Sequence, residues 1–83
     1  MEILPSGHFA TTIRRWLYRQ MRNAGPLRER VEAAIVNRDP AEMRLVVRQF
    51  RSFSDVQRRH VEELIQAWEQ AIADERFNDP SFP

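Results

Sequence analysis

The sequence predicts an all-α fold: a small three- to four-helix bundle with irregular N- and C-terminal tails. Three observations predict it. Apolar residues recur at helical spacing in four segments, no stretch alternates apolar and polar as a half-buried strand does, and Gly, Pro, Asp and Ser fall between the segments. The 83 residues allow one domain, and a chain of this length buries only about 60–65% of its unfolded surface. Its core is therefore small. With 42% hydrophobic and 30% charged residues, the composition is that of a folded or partner-stabilised chain, not a disordered one.

The elements follow in order. Residues 1–8 read as an irregular lead-in, because Pro5 and Gly7 break regular structure. A first helix is expected from Phe9 to Asn23, with Phe9, Ile13, Trp16, Leu17 and Met21 on one arc. Gly25-Pro26 ends it, Gly suiting the left-handed position that closes a helix and Pro opening the next. The second helix, Pro26 to Asn37, carries the stripe Leu27, Val31, Ala34 and Ile35. Asp39-Pro40-Ala41-Glu42 is the strongest start signal: Asp39 caps, Pro40 sits where a missing N–H is harmless, and Glu42 is placed to reach back. The third helix, Pro40 to Arg51, aligns Met43, Val46, Val47 and Phe50. Ser52 or Ser54 then caps or kinks the chain into a last helix, Asp55 to Arg76, with Val61, Leu64, Ile65, Trp68 and Ile72 inward and Phe53 and His60 at one edge. The domain thus spans residues 9–77, and residues 78–83 form a non-helical tail.

Charge is the most informative property of the composition. Every basic residue other than the two histidines is an arginine. Residues 1–59 hold twelve arginines against six acids, a formal +6, while residues 60–83 hold one arginine against six acids, a formal −5. The net +1 conceals a dipolar molecule. Arg presents a planar fork that grips a carboxylate or phosphate bidentately, which Lys does not. On the first helix Arg15, Arg19 and Arg22 are spaced i, i+4, i+7, opposite the apolar arc and bordered by Tyr18. On the third, Arg44, Arg48 and Arg51 repeat the spacing. Two such rows are suited to clamping an acidic helix or a phosphate backbone, or are simply solvated outer faces.

Several function classes are excluded or disfavoured. The absence of Cys removes disulfides and thiolate metal sites. His8 and His60 have no nucleophile beside them in sequence, Glu62 and Glu63 point to different sides of one helix, and no metal-ligand spacing occurs, so neither catalysis nor a metal centre is expected. No cofactor of its own is expected either. The longest apolar runs of three or four residues are too short to span a membrane. The near-neutral total and the acidic last helix weigh against nucleic acid as the partner. From Ile3 to Arg28 there is no acid, and an acid-free, Arg-rich amphipathic segment has the composition of a mitochondrial import signal as well as of an ordinary basic helix.

Residues 17–19 spell Leu-Tyr-Arg near the start of a basic, helical, Cys-free chain, and Leu17-Tyr18-Arg19-Gln20-Met21-Arg22 resembles the motif of the LYR-motif family of mitochondrial proteins. Arg28-Glu29-Arg30-Val31 with Asn37-Arg38-Asp39-Pro40 resembles that family's second helix and the opening of its third. Val61 to Trp68 and Leu4 to Phe9 resemble segments of the LYR-type subunits of respiratory complex I. The stretch between the motif and Arg28 is shorter than in the family, and the stretch after Asp39-Pro40 is longer. Either Phe50 or Phe53 corresponds to the family's downstream Phe. The resemblance implies an accessory or assembly subunit of a mitochondrial respiratory complex, in the matrix or on the matrix side of the inner membrane. It also implies an acyl carrier protein as partner, whose acyl-phosphopantetheine arm enters the bundle. By carry-over Tyr18 and Arg19 contact the partner and Leu17 orients the first helix, with Arg22 and Arg28 as further contacts. The residues alone leave open a cytoplasmic interaction module or regulator that grips an acidic protein without a carrier protein.

Overall fold

The computed structural model describes residues 5–20 and 25–77. Four helices follow in order: α1 (Ser6–Gln20), α2 (Gly25–Val36), α3 (Pro40–Arg48) and α4 (Asp55–Phe77). No strand occurs among the described residues, so the chain is all-α as expected. α1 packs on α2 and α4, and α3 packs on the same two helices, while α1 and α3 lie across a diagonal without close backbone contact. The four helices form a closed ring around one core. Its floor is Ile13 and Leu17 from α1, Val31 and Ala34 from α2, Met43, Val46 and Val47 from α3, and Val61, Ile65 and Trp68 from α4. Burying each large apolar side chain contributes about 1.5–3 kcal/mol.

Local chemistry sets most helix ends. Asp39 Oδ1 accepts the Glu42 N–H at 3.1 Å, and Pro40 occupies the first turn. Glu42 does not reach back to the cap, however: it turns to α2 and pairs with Arg30 at 2.7 Å. The complete reciprocal box is at α4. Ser54 Oγ accepts from the Gln57 N–H at 3.2 Å, and Gln57 Oε1 accepts from the Ser54 N–H at 2.9 Å. Ser54, not Ser52, is the cap.

Three expectations are corrected. α1 begins at Ser6, three residues before the expected Phe9, so the lead-in is shorter than residues 1–8. The His8 N–H donates to the Pro5 carbonyl at 3.0 Å, closing a first turn that tolerates Gly7. Gly25 is not a left-handed helix stop, for no glycine among the described residues has positive φ; it is the first residue of α2. The left-handed position falls instead on Arg38, with φ 51°, after α2. There the Arg38 N–H donates to Ile35 O at 3.1 Å and the Asp39 N–H to Ala34 O at 2.9 Å, the paired bonds of a Schellman stop. Finally, α3 ends at Arg48 and not at Arg51. Arg58 of α4 donates to the carbonyls of Val47 (3.4 Å) and Phe50 (3.1 Å). This lets residues 49–54 leave the helix and fold Phe50 and Phe53 into the core, their rings 5.1 Å apart. Met21 and the expected tail at 78–83 lie outside the described residues.

Trp68 is the core anchor expected of it, at 1% exposure. Trp16 is half-buried at the α1–α4 edge, 5.4 Å from the Phe53 ring and 5.5 Å from His60. His60, expected at the edge of the α4 stripe, is exposed, with its ring beside that indole. Truncating Trp68 to Ala removes about 3–5 kcal/mol, comparable to the whole stability of a core this small. Urea titration followed by circular dichroism should show no cooperative transition for Trp68→Ala. Val56→Ala, at an exposed site, should stay within about 0.5 kcal/mol of wild type.

Candidate docking face

The apolar residues of α1 fix where its arginines point. Ala10, Ile13 and Leu17 are buried and turn one side of the helix to the core. At about 100° per residue, Arg15 and Arg19 then lie on the opposite side, and both are exposed. Leu17 is fully buried, so its part is to set the orientation of α1, not to touch a partner. Tyr18 follows Leu17 by one step and lands at the seam with α2.

Four residues meet at that seam. The Tyr18 hydroxyl donates to Glu32 Oε1. Arg14 Nε lies 3.1 Å from the same oxygen, an ion pair whose N–H is not aligned for a hydrogen bond. The Arg28 guanidinium carbon stands 4.4 Å above the centre of the Tyr18 ring, within cation–π range. Burial, and then the Glu32 carboxylate, raise the Tyr18 hydroxyl above its ordinary pKa, so it remains a protonated donor. Arg15, Arg19 and Arg28 have no carboxylate partner among the described residues. The result is an aromatic ring with one stacked cation, flanked on α1 by two outward cations.

The second arginine row does not join the first. Arg44 turns toward α4 and grips Glu69 with both ends of its fork, at 3.1 and 3.0 Å. Its hydrogen bonds hold the Glu69 carboxyl below the usual range. Arg48 and Arg51 are exposed, but Arg51 stands beyond the end of α3. Since α1 and α3 are diagonal, the two sets face away from each other and cannot close on one ligand. Arg22 lies outside the described residues. The site brought together is therefore Tyr18 with Arg15, Arg19 and Arg28. Among the described residues no helix is long and apolar enough to cross a membrane, and no group of His, Asp and Glu is arranged to hold a metal ion.

A second polar cluster, not expected from the sequence, joins α1 to α4. Glu75 accepts the Ser6 N–H at 2.6 Å and the Ser6 hydroxyl at 2.8 Å, placing a carboxylate on the positive end of α1. Arg38 donates to Ser6 Oγ at 2.9 Å and pairs with Glu75. Glu32 stands four residues after Arg28 on one helix, but it pairs across the seam with Arg14 and Tyr18, which that spacing does not reveal. Arg38 and Glu75 are far apart in sequence and carried no local signal.

These bonds, chiefly the Ser6 N–H, hold the Glu75 carboxyl below its ordinary value. A depressed folded-state pKa stabilises above the unfolded value of about 4.3, and that stabilisation is lost as pH falls through the folded value. Thermal melts of wild type and Glu75→Gln should therefore differ by a constant gap from pH 7 to pH 5. The gap should close below about pH 4, because protonated Glu75 then resembles Gln; one unchanged down to strong acid would assign the effect to something other than charge. Comparisons with protein-family models, curated proteins and solved structures find no match to this chain.

Proposed function

We propose that this chain is a non-catalytic docking subunit that receives an acidic helix of a protein partner on Tyr18, Arg15, Arg19 and Arg28. The observation that carries the reading is the division of its charges. Arg14, Arg30, Arg38 and Arg44 hold glutamates, whereas around Tyr18 Arg15 and Arg19 point outward and Arg28 stacks on the ring, all three without a carboxylate partner among the described residues. Arg forks meet carboxylates with charge-assisted, bidentate bonds, and Tyr and Arg are the residues that dominate protein interfaces. Read with the Leu17-Tyr18-Arg19 resemblance, the partner is an acyl carrier protein. The chain is then an accessory or assembly subunit of a mitochondrial respiratory complex, located in the matrix or against the matrix side of the inner membrane.

A second reading keeps the same face and drops the lipid. It is favoured by the closed interior: Ile13, Leu17, Val31, Met43, Val46, Val61 and Ile65 are all at 0% exposure, and an acyl chain enters only if two of the helices part. In that reading the chain is an interaction module, cytoplasmic or otherwise, for an acidic protein without a prosthetic arm.

The double reversal Arg15→Glu with Arg19→Glu changes two exposed side chains and should leave helicity intact. Titrated against acyl carrier protein by isothermal calorimetry, it should weaken binding by about a hundredfold or more. Unchanged affinity sinks the docking face. Equal affinity for the apo and the acylated carrier selects the lipid-free reading.

A further inference from the structure

We infer that the α1–α2 seam is the track for that helix, and that it selects a partner with an acidic residue and a large apolar residue two turns apart on one face. The inference rests on the docking reading above and adds a second point of attachment to it. α1 and α2 run antiparallel: Tyr18 meets Arg28 and Glu32 at one end, and Gly7 and Thr11 line a groove with Ile35 and Val36 at the other. From Tyr18 back to Thr11 is seven residues, or about 10.5 Å along the axis at ~1.5 Å per residue. A partner helix lying on the seam covers that distance in the same seven residues, which returns it to the same face after two turns.

The groove is made by small residues. Gly7, Ala10 and Thr11 leave α1 low against α2, and a β-carbon added at Gly7 would meet nothing within 4 Å. The open volume is about 440 Å³, ample for a Leu or Phe side chain. Its lining is mixed: Ile35 and Val36 with Ala10 and the edge of the buried Trp68 are apolar, and Ser6, Thr11, Arg38 and Glu75 are polar. Val36 is 75% exposed, an apolar residue at the end of α2 for which the fold has no use. The polar end of the groove is tied up, since Ser6, Arg38 and Glu75 satisfy one another. What remains to be covered is chiefly Ile35 and Val36, with Thr11 beside them.

The charges select a helix over a phosphate chain. The uncommitted cations cluster at the Tyr18 end, whereas the only cation among the described residues lining the groove end, Arg38, is already paired with Glu75. A nucleic-acid strand would lay successive phosphates past Ile35, Val36 and the Glu75 carboxylate, where no free cation among the described residues meets them. A helix with one acid per two turns would not.

The test uses the full-length chain and three capped, alanine-rich helical peptides, titrated by NMR chemical-shift changes. The first carries Glu and, seven residues on, Leu. The second moves that Leu to the opposite face, and the third replaces Glu with Gln. The first should bind on the order of tenfold tighter than either other. Val36→Ser should abolish the advantage of the correctly placed Leu while preserving the preference for Glu, and Arg28→Gln should do the reverse. If the two Leu isomers bind equally while Glu still matters, the groove inference is overturned and the docking face stands. If Glu also makes no difference, or no peptide binds, both fail.

Discussion

Each seam of the ring is closed by a glutamate reaching across it. Arg14 meets Glu32 between α1 and α2, Arg30 meets Glu42 between α2 and α3, and Arg44 meets Glu69 between α3 and α4. Glu75 links α4 to Ser6 of α1 and to Arg38 after α2. Pairs this exposed are worth about 0–1 kcal/mol each, and the core provides most of the stability. Hydrophobic burial has no direction, however. A core of Val, Ile, Ala and Met tolerates a helix turned by a few tens of degrees, whereas a carboxylate held by a fork does not. The apolar stripes therefore set which side of each helix faces the core, and the pairs narrow its rotation toward each neighbour. The same choice determines which arginines remain outside. Arg15 and Arg19 point outward because Ala10, Ile13 and Leu17 point inward and Arg14 points sideways.

Much of the fold was legible because its signals are local. The four apolar stripes, the Asp39-Pro40 start and the opening of α4 all depend on residues within a turn of one another. What was not legible depends on residues far apart. Nothing in Gln49-Phe50-Arg51 stops a helix, and α3 ends there because Arg58 arrives from α4 to take its carbonyls. Grammar assigns a left-handed stop to Gly25, yet Arg38 adopts it. That conformation costs an L-residue about 1–2 kcal/mol, and the contacts of its guanidinium with Ser6 and Glu75 offset the strain. The candidate site shows the same division. Helical spacing identified Arg15, Arg19, Arg44, Arg48 and Arg51 as sharing faces, which one dimension can reveal. It could not reveal that α1 and α3 are diagonal, so that the rows diverge, or that Arg44 is already held by Glu69.

The seam with the thinnest backbone contact is α1–α2, and it also carries three uncommitted cations, Arg15, Arg19 and Arg28, and the groove. These facts are connected. Gly7, Ala10 and Thr11 contribute little surface to α2, so the seam draws its cohesion from Tyr18, Arg14 and Glu32 at one end and from Arg38 with Ser6 at the other. A ligand laid along it adds apolar contact where the chain supplies least. Any partner that binds only the folded ring stabilises it in proportion to the logarithm of its concentration over Kd, so for a core this small docking and folding are linked. The asymmetry of charge acts on the same equilibrium from outside. Under the docking reading, an acidic partner would be drawn to the arginine side and repelled by Glu62 and Glu63 on α4, so that the dipole orients the encounter before any contact forms. That bias weakens as salt shortens the Debye length to about 8 Å at physiological strength, whereas the groove's contribution does not. Raising salt therefore slows capture more than it hastens release, and the ratio of the two effects separates the charged end of the seam from the apolar one.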